Sequence, residues 1–165
     1  MEEALWGFLG ALVGAGASIA TSWLSSRHEL ARQQQADSLE RIERARAFQR
    51  DNLLELQQAL QDAVRYSTRA QLEDEQAFRQ SGEWGKVRLS DEVSEGSRAT
   101  NARLMALTEL VADDSVRASV KSLCGKLVSH SFAGTREQGE AVLRDATNAF
   151  TLVMEQIGTT LRRLY

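Results

Sequence analysis

ALWGFLGALVGAGASIATSWL, residues 4–24, is the stretch on which the reading of this chain turns. It runs for about 21 positions without a charged residue, and a helix of that length spans the ~30 Å hydrocarbon core of a bilayer. Trp6 and Trp23 stand near its two ends, about 25 Å apart along a helix. Indole rings favour the headgroup boundary, so Trp6, Trp23 and the following Arg27 are expected at the membrane interfaces. Glu2 and Glu3 precede the run, and Arg27 and His28 follow it. Length, aromatic placement and charge together predict one N-terminal transmembrane helix.

Two other readings compete with this one. A cleaved signal peptide would suit the small residues Ala15, Ala17 and Ala20, but its leading region should be basic and here it is acidic. A core helix of a soluble bundle would suit Gly7, Gly10, Gly14 and Gly16, which dilute the hydrophobicity. So long an uncharged run is more than such a helix needs in a protein of this size. For an anchor, the arginines set the direction. None precedes the run, whereas Arg27, Arg32, Arg41 and Arg44 come soon after it. The positive-inside bias then puts the N-terminus outside and the rest of the chain in the cytoplasm.

Gly10 and Gly14 form a GxxxG, and Ser18 and Ser22 continue the same row at four-residue steps. A ridge of small residues lets two helix backbones approach closely, which in lipid drives association. The row is expected to be a transmembrane self-association face. The hydroxyls of Ser18 and Ser22 can alternatively bond back to their own helix.

Beyond the run, composition points to helix throughout. The chain has 165 residues and no proline, and it is rich in the residues that propagate helices at least cost. With 20 basic and 23 acidic side chains, the net charge of −3 lacks the basic excess of a nucleic-acid binder. One cysteine, Cys124, excludes an internal disulfide.

Residues 25–80 contain neither proline nor glycine and read as one long helix or two collinear ones. Residues 25–50 are mostly polar, with Leu39, Ile42 and Phe48 the sizeable apolar members, and are expected to be a solvated stalk. Leu53, Leu56, Leu60 and Ala63 then follow at three- and four-residue steps. Extended backwards, that register meets Leu39, Ile42, Arg46 and Gln49, a weak coiled-coil seam that competes with packing inside a bundle.

Residues 81–86, SGEWGK, are expected to turn the chain. Ser90 reads as the N-cap of a second helix carrying Val93, Thr100, Leu104, Leu107 and Val111. Asp113 or Asp114 can cap a third helix with Val116, Val120, Leu123 and Leu127. Thr135 and Gln138 form a capping box for the last, whose stripe includes Val142, Ala146, Ala149, Phe150, Val153, Ile157, Leu161 and Leu164. The expectation is all-α: residues 1–24 as tail and anchor, 25–50 as stalk, and 51–165 as an antiparallel bundle of about four helices.

No catalytic constellation is expected, and no cofactor or metal. His28, His130 and Cys124 lack the three- or four-residue spacing that puts two ligands on one helical face. His130 between Ser129 and Ser131 is no dyad, because adjacent helical residues point apart. Gly125 and Lys126 lack the upstream glycine of a phosphate-binding loop. Glu73, Asp74 and Glu75 read as a solvated face paired with Arg69 and Arg79. Trp84, flanked by glycines, either tucks over the bundle or offers a contact to a partner.

The functional expectation is a membrane-anchored helical interaction or scaffold protein. It would associate with itself and with a cytoplasmic protein, with the lipid bilayer as its other partner and no nucleic acid. Alternatives are an effector whose oligomerised anchors perturb the bilayer, and a soluble bundle with residues 4–24 in its core.

Overall fold

The computed structural model describes the backbone of every residue except Met1 and Val87, and the side chains of residue 29 and of residues 32–165 apart from Val87. Every regular element among them is a helix: α1 Glu2–Ser81, α2 Asp91–Glu109, α3 Asp114–His130 and α4 Arg136–Arg163. Residues 25–80 therefore belong to one helix. Among the described residues no helix is long and apolar enough to cross a membrane. The side chains of residues 4–27 are not among those described, so the expected anchor and the roles expected of Trp6, Gly10, Gly14, Ser18, Ser22, Trp23 and Arg27 lie outside the described residues.

The chain divides into two compact units, Met1–Ala45 and Arg46–Tyr165. In the first, every described side chain is exposed. Its local order comes from the helix itself. Ser38 donates its hydroxyl to the Gln35 carbonyl, and Arg44 pairs with Glu40 one turn away. Exposed pairs of this kind contribute a few tenths of a kcal/mol, roughly 0.3–0.5.

The second unit is a four-helix bundle. α1 contributes Leu53, Leu56, Ala59, Leu60 and Ala63 to its core, α2 Leu104 and Leu107, α3 Val116, Val120, Leu123 and Leu127, and α4 Ala146, Val153 and Ile157. All but Ala59 belong to the rows expected from the spacing; of the α4 stripe, Val142, Ala149, Phe150, Leu161 and Leu164 are only partly buried. Side-chain pairing makes α2 antiparallel to α1: Arg69 meets Glu92 at one end, and towards the other Arg103 meets Glu55 and Asn52 donates to the Leu107 carbonyl. α4 also runs antiparallel to α1, since Arg136 reaches Glu75 while Arg50 donates to the Leu164 carbonyl.

Short connections enforce this arrangement, and the starts of α2, α3 and α4 are capped. The Ser90 hydroxyl accepts from the Val93 N–H, and the Asp113 carboxylate accepts from Ser115 and Val116 at 2.9 and 3.0 Å. Thr135 accepts from the Gln138 N–H at 3.2 Å. The return half of this capping box is displaced by one residue. Gln138 Oε1 takes the N–H of Gly134, at 3.1 Å, where a standard box would take that of Thr135. Between α1 and α2, Gly82 and Gly85 adopt φ of 75° and 64°. L side chains disfavour that left-handed region, so glycine is what lets the turn close so tightly.

The part of the possible coiled-coil seam from Leu53 to Ala63 packs inside the bundle. Leu53, Leu56 and Leu60 are at most 1% exposed, covered by helices of the same chain. Leu39 and Ile42, earlier in the same register, remain 59% and 48% exposed.

Candidate functional site

The inward rows of α1 and α3 turn polar at the end of the bundle where both helices finish and α4 begins. On α1 the row runs from Leu60 and Ala63 to Gln71 and Asp74. On α3 it runs from Leu123 and Leu127 to His130, three residues further on the same face. On α4 it begins at Gly139. His130 is 5% exposed and Gln71 6%. Polar groups buried so deeply normally have partners. Here His130 Nδ1 and both amide atoms of Gln71 have none within the protein.

The surroundings of His130 oppose its charged form. Burial holds its pKa below the ordinary 6.5, against the opposing influence of backbone groups of Gly139 and Ser67 and of the Asp74 carboxylate. Burial raises the pKa of Asp74 in turn, only partly countered by His130. Desolvation thus disfavours the charged form of both groups.

The rim is ionic. Arg136 reaches Glu75 Oε1 through Nη2 at 2.9 Å, and Arg79 reaches the same oxygen at 3.0 Å. Arg136 Nε lies 2.9 Å from Glu140 Oε1 as an ion pair, without the angle of a hydrogen bond.

The reading of residues 73–75 as one solvated face is corrected here, because successive helical residues point about 100° apart. Glu73 accepts from both the Ser90 N–H and its hydroxyl, at 2.8 and 2.6 Å. These bonds hold its pKa below the usual carboxylate value. Asp74 turns towards His130, and Glu75 joins the two arginines. Arg69 pairs with Glu92 of α2.

Trp84 tucks over this end, half-buried. Its ring meets Phe78 edge-on, with centroids 6.0 Å apart and planes at 70°. A Cβ on Gly139 would stand 3.0 Å from Trp84 Cζ2 and 3.1 Å from Gln71 Oε1, so a larger residue would make both side chains give way by a few tenths of an ångström. The indole therefore closes the polar end from the turn between α1 and α2.

Cys124 is half-buried in a shallow recess with Met105, Thr108, Glu109 and Lys121. Burial raises its pKa, which disfavours the reactive thiolate. Among the described residues no group of three His, Cys, Asp or Glu side chains is placed to hold a metal ion. Compared with known protein families, curated proteins and solved structures, the chain matches none.

The sequence-level candidates thus fall in two places. Trp84 belongs to the polar end of the bundle, whereas the small-residue row and the interface aromatics lie outside the described side chains. Sequence reasoning missed His130, Asp74 and Gln71 as a group. A signal for His130 was present, since it continues the row of Val116, Val120, Leu123 and Leu127.

Proposed function

We propose that this chain is a non-enzymatic, membrane-anchored interaction protein that associates with copies of itself. Residues 4–24 hold it in the bilayer with the N-terminus outside, and the bundle works in the cytoplasm. Gly10, Gly14, Ser18 and Ser22 form the contact between anchors.

The observation that carries this reading is the contrast between the two units. Residues 46–165 close a core with apolar rows from all four helices, so folding that unit calls on no described side chain of the first. The first unit combines an uncharged run of bilayer length with an exposed polar helix, a composition suited to anchoring and spacing. Its exposed Leu39 and Ile42 offer a small additional contact between neighbouring copies.

Carbonate extraction and crosslinking in intact membranes test the proposal. The protein is expected to stay with the membrane and to crosslink as a dimer or larger. Gly14→Leu should weaken the crosslink without releasing the protein. Recovery in the soluble fraction, or a monomer under all crosslinking conditions, would contradict it.

A further inference from the structure

We propose that the polar end of the bundle is an acid-opened latch: adding a proton to His130 releases the α3–α4 corner and the Trp84 turn from α1. The proposal concerns residues 46–165 alone and does not depend on membrane anchoring.

The geometry couples one titratable group to three helices. His130 ends α3, faces Ser67 and Asp74 of α1, and adjoins Gly139 of α4. At 5% exposure it has no ready access to water. Gln71 beside Gly139 brings a buried amide that bonds to no protein group, so no protein hydrogen bond from it ties the corner to α1. That leaves this end less firmly held than the aliphatic centre, where Leu53, Leu56, Leu60 and Leu123 pack without polar atoms.

The charged groups around His130 are few. Asp74 on α1 is the one charged side chain among the described residues that acts on its titration. Glu75 of α1 and Glu140 of α4 are engaged by Arg136, and Glu73 is engaged by Ser90 of the segment leading into α2. Asp74 favours a proton on His130, but burial outweighs it.

Linkage sets the direction. The histidine value is lower in the closed state than in the open one, so its contribution to closure is fully present above 6.5. That contribution is lost as pH falls from there through the closed-state value. Asp74 acts with the opposite sign. Its raised value favours closure below 3.8, an effect lost as pH rises through the closed-state value. Because acidification favours closure through Asp74 and opening through His130, an opening that begins as pH falls from 6.5 belongs to His130.

The test uses the full chain in mild detergent, with Trp6→Phe and Trp23→Phe so that Trp84 is the only indole. Trp84 emission and amide exchange of residues 71–81 and 131–140, corrected for intrinsic chemistry, are followed from pH 8 to about 5.5, a range that brackets the ordinary histidine value. Below about 6.5 the local opening constant is expected to rise, with a slope of at most about tenfold per pH unit, the limit for uptake of one proton. Trp84 emission should move to longer wavelength in step, while amides of residues 53–60 stay protected. His130→Gln should remove the response.

A flat profile would overturn the latch. So would an equal response in His130→Gln, or loss of protection at residues 53–60 together with the corner. Should His130→Gln fail to fold, the slope in the protein with His130 intact decides alone: opening that rises as pH falls through 6.5 supports the latch and a zero slope overturns it.

Discussion

Helix α1 serves two environments along one unbroken run. Between residues 52 and 71 it carries a buried row, with Leu53, Leu56 and Leu60 sealed by three other helices. Between residues 32 and 45 every side chain is exposed, Leu39 and Ile42 included. The backbone is equally helical in both stretches. What separates them is the presence of partners in the same chain, which the apolar period alone does not reveal. A leucine row becomes a core only where other rows meet it.

The largest effect that sharpens this contrast comes from the bundle. Leu123 is fully buried in α3, and Leu123→Ala should lower its unfolding free energy by about 2–5 kcal/mol through lost burial and the cavity left behind. Chemical denaturation monitored by circular dichroism would show it. A loss below 1 kcal/mol would mean that the core is looser than its packing implies.

Next comes the cap of α3. Asp113→Ala removes the acceptor for the Ser115 and Val116 N–H groups. It should cost about 1 kcal/mol in the same assay.

The smallest effect belongs to the first unit. Leu39→Ala with Ile42→Ala should change bundle stability by less than about 0.5 kcal/mol, as for ordinary surface positions. Crosslinking between copies should nevertheless fall. A large loss of bundle stability from this pair would break the comparison, because it would assign those side chains to the core.

The same contrast shows how far the sequence could be read. Ser90, Asp113 and Thr135 announce their helices because capping depends on residues three positions apart. The glycines of residues 81–86 mark the turn, and the rows ending at Ala63, Leu107, Leu127 and Ile157 follow from helical period. All of that chemistry is local.

The meeting of Gln71, Asp74, His130 and Gly139 is not local, because it depends on how three helices are brought together. The same holds for Glu73 and Arg69, whose partners Ser90 and Glu92 lie across the turn. Four-residue spacing suggested partners within α1, and contacts from α2 displaced them. Trp84 was open between an inward and an outward role, which the close pass of Gly139 decides.

The division of labour within α1 is the central claim, and residues 46–165 produced alone test it most directly. Sedimentation equilibrium with a thermal melt by circular dichroism should find a soluble monomer that unfolds cooperatively, since those residues close their own core. A non-cooperative melt, or association as tight as that of the full chain, would contradict the claim, because residues 1–45 would then be needed to complete the fold or would not be the seat of self-association.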